Sequence, residues 1–129
     1  MLGQTEQPKQ ILIVDDGSTD GSLEVLEKEY HQNGVIKILK HNKNYGKPEA
    51  INTALKNIEY EPYMLLVDAD AVLKSNFVEE ILKGFYNEKV IGSCGTVLSV
   101  NTNNLFGLAR MVDYLYGQRV YKYLQTRIH

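Results

Sequence analysis

The run Tyr63-Met64-Leu65-Leu66-Val67-Asp68-Ala69-Asp70 points to an architecture. Five consecutive apolar or aromatic residues suit a strand covered on both faces of an α/β sheet. The run ends abruptly in two carboxylates, and residues i and i+2 leaving a strand project to the same side. In open α/β sheets the carboxyl ends of the strands form the ligand crevice. Two carboxylates held there repel unless a cation sits between them and something anionic. Mg²⁺ carrying a diphosphate meets that need, because it prefers one or two carboxylates plus substrate phosphates. The plainer alternative is an exposed Asp-rich turn.

Upstream, Ile11-Leu12-Ile13-Val14 reads as a second buried strand. It runs into Asp15-Asp16-Gly17-Ser18-Thr19-Asp20-Gly21, all turn and cap formers. Leu23, Leu26 and Tyr30 then share one side of a helix predicted over about Ser22 to Gln32, with Gly34 as its stop. Val35 to Leu39 reads as a short strand and His41 to Gly46 as a loop. Pro48 suits the first turn of the next helix, where Ala50, Ile51, Ala54, Leu55 and Ile58 recur at helical spacing. Asn76 with Glu79 resembles a capping box, Ser75 being the neighbouring cap candidate, before a helix that buries Phe77, Ile81, Leu82 and Phe85. Val90 to Val100 reads as one or two short strands broken by Gly92 and Gly95. From Asn104 onward Leu105, Leu108, Met111, Val112, Leu115, Val120 and Leu124 mark a long amphipathic helix over about 104–127. Strands alternating with helices predict a largely parallel sheet with right-handed crossovers.

At 129 residues the chain has the size of one domain or part of one, long enough for a core without disulfides. A net charge of -2 with scattered Lys and Arg offers no footprint for nucleic acid. Cys94 is the only cysteine, which excludes an internal disulfide and gives it the default role of a small buried hydrophobe. His31, His41 and His129 lack zinc-type spacing and read as surface histidines. No stretch has the length of a transmembrane helix. Met1 to Gln10 is polar and reads as poorly ordered or tag-like.

Three clusters fall at or near strand ends: Asp15-Asp16-Gly17-Ser18, Asn44-Tyr45-Gly46-Lys47 and Asp68-Ala69-Asp70. Strand ends of a parallel sheet converge on one rim. A carboxylate there accepts a base N–H or a ribose hydroxyl. Gly46 permits close backbone approach. Lys47 offers a mobile cation for phosphate, at a helix N-terminus that also favours anions. The bland counterparts are a helix-capping Asp15 or Asp16 and a solvated Lys47.

In these pieces the sequence resembles glycosyltransferase family 2. They are Ile13-Val14-Asp15-Asp16-Gly17-Ser18-Thr19-Asp20, Asn44-x-Gly46-Lys47 running into Ala50 and Asn52, and Leu66-Val67-Asp68-Ala69-Asp70. Order and spacing fit from about Gln10 to Gln125. Val90-Ile91-Gly92 to Gly95, then Asp113-Tyr114 with Arg119, look like the processive polysaccharide-synthase branch. The resemblance implies the α/β GT-A fold: a Rossmann-like, largely parallel sheet with helices on both faces. It implies a UDP-sugar donor, a saccharide or lipid-linked acceptor, and metal-dependent, inverting transfer to a hydroxyl. Asp16, with Asp15, would meet the uracil or nucleoside, and Lys47 would lie near the nucleotide. Asp68 would lie on the ribose and metal side. Asp70 would coordinate Mg²⁺ or Mn²⁺, whose charge stabilises the leaving diphosphate. The expected location is cytoplasmic, with the catalytic domain on the cytoplasmic face where the parent associates with a membrane.

The family opens on a strand with a Pro-x-Tyr-Asn-Glu-like pattern, and neither that strand nor the downstream acidic base and Gln-x-x-Arg-Trp-type motif is found here. The expectation is a partial catalytic domain, incomplete at the first strand and the C-terminal part, with residues 11–100 as its nucleotide-sugar part. No catalytic residue is assigned, the general base being expected beyond His129. Such a chain would bind donor weakly and transfer little. The strands at Ile11–Val14 and Tyr63–Val67 would then pair directly or take a strand from another copy. A homo-oligomer through that sheet edge, or through the helix bearing Tyr114, Tyr116, Tyr121 and Tyr123, would follow. Two alternatives stand beside this reading. One is a phosphoreceiver domain with Asp68 as acceptor, which the run Gly17–Gly21 and Ala71-Val72-Leu73-Lys74 fit poorly. The other is a non-catalytic interaction module.

Overall fold

The structure, a computed structural model, describes residues 1–59, 61–98, 108, 109 and 112. The chain divides into two compact units, Met1–Val78 and Glu79–His129. In the first, strand β1 (Ile11–Asp15) leads to helix α1 (Ser22–Tyr30), strand β2 (Ile36–Lys40) and helix α2 (Lys47–Asn57). β1 and β2 pair in parallel, from Ile11 opposite Ile36 to Asp15 opposite Lys40. The His41 N–H donates to the Asp15 carbonyl at 2.9 Å and carries the pairing one residue further. Crossing between parallel neighbours requires an intervening element, and α1 supplies it. α1 packs on β2, and α2 packs on β1.

Local chemistry explains these boundaries. The Asp20 carboxylate accepts the Ser22 N–H at 3.0 Å and the Ser22 hydroxyl at 2.5 Å, so Asp20 makes the turn ahead of the Gly21 N-cap of α1, and neither Asp15 nor Asp16 does. Leu23, Leu26 and Tyr30 are half-buried, as the helical spacing predicts. α1 stops at Tyr30, two residues short of the expected Gln32. The Asn33 N–H turns back to the Tyr30 carbonyl, and the Asn33 side chain accepts the Val35 N–H. β2 runs one residue later than the expected Val35–Leu39. α2 begins at Lys47 with Pro48 in its first turn, where a missing N–H costs nothing. Leu55, expected on its apolar stripe, is exposed.

The Tyr63–Val67 run forms no strand, contrary to expectation. Tyr63, Met64 and Leu66 are exposed, not covered on two faces. Among the described residues the sheet has two strands, and β1 pairs only with β2, so direct pairing with Tyr63–Val67 does not occur. The reason is physical: apolar composition favours burial, but a strand exists only where a neighbour completes its ladder. Of the strands expected over 90–100, residues 90–98 contain none, and 99 and 100 lie outside the described residues.

The core is correspondingly thin, with no described hydrophobic residue fully buried. Among the described residues the two that are buried are Gln4 and Asp15. Gln4 lies in the Met1–Gln10 segment, which reads from its sequence as poorly ordered or tag-like. Its Nε2 donates to the Lys74 carbonyl at 2.7 Å, and its Oε1 accepts the Val78 N–H at 2.9 Å. It thereby caps the start of helix α3 (Phe77–Leu82), a role expected of Ser75 or Asn76. Lys9 pairs with Glu61, and the Gln10 side chain accepts the Glu59 N–H.

The second unit contains the rest of α3, closed by Gly84 and Phe85 N–H bonds to Ile81 and Leu82 carbonyls. Phe77, Ile81, Leu82 and Phe85 are half-buried, not buried. Cys94 is exposed, contrary to its expected role in a core. Residues 108, 109 and 112 are helical. The rest of the predicted 104–127 helix, including its tyrosines, Asp113 and Arg119, lies outside the described residues, as does His129.

Candidate functional site

The loops after β1 and β2 meet through one carboxylate. Asp16 Oδ1 accepts the Tyr45 N–H at 3.0 Å, and Oδ2 accepts the Gly46 N–H at 2.7 Å. His41 Nδ1 lies 2.7 Å from Oδ1 and completes the cradle. These bonds hold the Asp16 carboxyl below its ordinary value of 3.8, the His41 bond having the largest effect and the Tyr45 amide following it. Asp16 is therefore an anion throughout the neutral range.

Asp15 ends β1 and is buried, its Oδ2 accepting the Ser18 N–H at 3.3 Å in a local turn. Close approach of the two loops depends on Gly17, whose φ is +77°. A Cβ there would lie 2.5 Å from the Lys43 carbonyl carbon and 2.7 Å from the Asn44 nitrogen. Gly46 has φ +89° and ψ 159°, a region open essentially to glycine alone. It turns the chain so that its own N–H faces Asp16 and α2 starts at the next residue.

That next residue is Lys47. Its ammonium pairs with Asp68 Oδ1, and both side chains are largely exposed. The third cluster thus joins the second. Asp68-Ala69-Asp70 forms a turn closed by the Ala71 N–H on the Asp68 carbonyl at 3.0 Å. It is not the end of a strand, and the plainer description as an exposed acidic turn is the correct one for its backbone. Asp70 is exposed, and among the described residues its carboxylate has no hydrogen-bond or ion-pair partner. No group of three or more His, Cys, Asp or Glu able to hold a metal occurs among the described residues.

Four of the five expected residues are therefore linked within the first unit: Asp15 and Asp16 by sequence, Asp16 to the Gly46–Lys47 turn, and Lys47 to Asp68. Asp70 follows two residues on. His41 and Thr53 were not anticipated. His41 was read as a surface histidine, but it bridges Asp16 and the Thr53 hydroxyl, the latter at 2.8 Å from Nε2. The available signal was its position, one residue past β2 on the rim that carries Asp16. His31 is exposed, as expected. The Tyr45 ring stands edge-on to His41 with Lys43 over its face, and an open concavity is lined by His41, Tyr45 and Glu49.

Comparison with known proteins bears on what such a rim belongs to. The poly-beta-1,6-N-acetyl-D-glucosamine synthase of Staphylococcus epidermidis is 28% identical over 107 residues, covering 82% of this chain and 26% of that protein. The protein of the same name from Staphylococcus aureus strain COL is 26% identical over 115 residues, covering 88% of this chain and 27% of that protein. The chain spans about a quarter of the length of these curated relatives. No solved structure gives a significant match. The family described as Glycosyl transferase family 2 matches residues 1–128, a span that takes in every residue of the linked rim. A parallel β-α-β unit whose Asp-Asp-Gly loop is hydrogen-bonded to its Gly-Lys turn, and whose Lys47 pairs with the Asp-Ala-Asp turn, is thus a part of that family's fold, and the chain belongs to glycosyltransferase family 2.

Proposed function

We propose that this chain carries donor-binding residues of a glycosyltransferase that moves a sugar from a UDP-sugar to a hydroxyl acceptor. In that reaction the bond between the anomeric carbon and the diphosphate oxygen breaks, and its electron pair leaves with the diphosphate. A bond to the acceptor oxygen forms, and the hydroxyl proton passes to a base. No residue named here is given that last role. The names of the relatives favour an N-acetylhexosamine polymer as the product class.

The observation that carries this reading is the Gly46–Lys47 turn. It places an ammonium at the start of α2, where helix N–H groups already favour anions, and beside an acidic turn. Lys47 would exchange its exposed Asp68 partner for a phosphate oxygen, at small cost because exposed ion pairs contribute only about 0–1 kcal/mol. Asp68 and Asp70 fit a cation that completes its shell from phosphates and water, such as Mg²⁺ or Mn²⁺, better than one held by protein ligands alone. Bound there, the cation would supply Lewis-acid stabilisation of the leaving diphosphate. Asp15 and Asp16 form the nucleoside side, Asp16 retaining one lone pair beyond its three present bonds.

Calorimetric titration with UDP, uridine and ADP tests this. UDP is expected to bind more tightly than uridine, and Lys47→Ala to remove most of that difference while leaving the unfolding free energy within about 1 kcal/mol of the unaltered chain. Equal affinity for UDP and uridine would defeat the assignment.

A further inference from the structure

His41 has a place in this site that its sequence context does not announce. Both ring nitrogens are engaged, Nδ1 with Asp16 and Nε2 with Thr53. Its side chain is only 11% exposed. An ionised carboxylate only accepts, so Nδ1 carries the hydrogen. Nε2 is then satisfied in either protonation state, because the Thr53 hydroxyl donates to a neutral ring and accepts from a charged one.

Asp16 Oδ1 is shared between His41 and the Tyr45 amide, and Oδ2 takes the Gly46 amide. A carboxylate on two torsions would rotate between such donors. The ring fixes it from one side, and Thr53, on the second turn of α2, fixes the ring from the other. β1, the β2 loop and α2 are thereby tied through one imidazole. The charged groups facing it are Asp16, Glu49 across the concavity, and Lys43 over the Tyr45 ring.

We propose that His41 is a positioning residue for the donor site: it holds the Asp16 carboxylate against the Tyr45 and Gly46 amides and so sets the turn that presents Lys47. The geometric part of this stands on the structure, and its bearing on donor binding rests on the function proposed above.

The two ring nitrogens allow a directional test. The amide nitrogen of Asn reaches about where Nδ1 lies, and that of Gln about where Nε2 lies. His41→Asn therefore restores the bond to Asp16, and His41→Gln restores only the bond to Thr53. Each variant of the 129-residue chain is measured by UDP titration and by the pH dependence of the Tyr45 and Gly46 amide proton shifts. His41→Ala and His41→Gln are expected to weaken UDP binding about tenfold, the loss of one charge-assisted hydrogen bond. In both, the two amide protons move upfield and titrate at higher pH. His41→Asn stays within about threefold of the unaltered chain, with its amide shifts retained. A merely structural histidine would give Asn and Gln equal effects and leave the amide titration unmoved, and that result overturns the proposal. If the unaltered chain binds no UDP, the donor reading fails, and the amide signals still decide whether His41 holds Asp16.

Discussion

Placing an alanine at Gly17 should separate the two costs that this glycine avoids. Gly17 sits at φ +77°, and left-handed backbone costs a residue with a Cβ about 1–2 kcal/mol. The added Cβ would also meet the Lys43 carbonyl carbon at 2.5 Å, the Asn44 nitrogen at 2.7 Å and Lys43 Cα at 2.8 Å. All three are backbone atoms, so no side chain can swing aside and the His41–Gly46 loop must move. Forced overpacking of this kind costs about 1–3 kcal/mol. Gly21 is the matched control. Its φ is +85°, but a Cβ there meets only the Glu24 carboxylate at 3.9 Å. Gly21→Ala should therefore cost about 1–2 kcal/mol, from backbone strain alone. Gly17→Ala should cost about 2–5 kcal/mol. Urea unfolding followed by far-UV circular dichroism reads the difference. With a slope of about 1–3 kcal/mol per molar, the Gly17→Ala midpoint should lie roughly 1 M below that of Gly21→Ala. Loop displacement also parts Asp16 from the Tyr45 and Gly46 amides, so UDP binding should fall for Gly17→Ala only. Equal midpoints for the two variants would refute the close approach of the β1 and β2 loops.

Two further outcomes follow from single residues. Asp16 has a folded-state pKa below 3.8, chiefly through His41 and then the Tyr45 amide. Its stabilisation is fully present above about pH 3.8 and is lost as pH falls through the lower folded-state value. Asp16→Asn should flatten the fall in urea midpoint over that acid range, and an unchanged slope would count against the cradle. Gln4→Ala leaves the Lys74 carbonyl and the Val78 N–H without their partner, at about 1–3 kcal/mol, and a thermal melt equal to that of the unaltered chain would show the N-terminal segment to be dispensable.

The elements nearest the site were legible because their signals are local. Pro48 and the Asp20-Gly21-Ser22 turn mark the starts of α2 and α1, and the 3.6-residue spacing of Leu23, Leu26 and Tyr30 marks a helix face. Ile11–Val14 reads as a strand and is one, with β2 beside it. Tyr63–Val67 carries the same composition and is none, because pairing is a property of neighbours and not of a segment. Gln4 was hidden for the opposite reason: nothing in a polar segment announces an amide that meets a helix start some seventy residues away. His41 was weighed only against metal spacing, and nothing in its flanking residues declares a bond to Asp16, twenty-five positions earlier. Asp16 and the Gly46–Lys47 turn meet because the strand-end loops of a parallel pair share one rim, whereas the Asp68 turn joins them through the Lys47 side chain and not through a strand end.

The assignment of Asp70 to a cation that bridges protein and diphosphate is decided by one titration. UDP is added to the unaltered chain and to Asp70→Ala, each with and without Mn²⁺. The expected result is a Mn²⁺-dependent gain in UDP affinity for the unaltered chain. Asp70→Ala should lose that gain and keep its metal-free binding. An equal gain in both chains would contradict the metal site at Asp68-Ala69-Asp70.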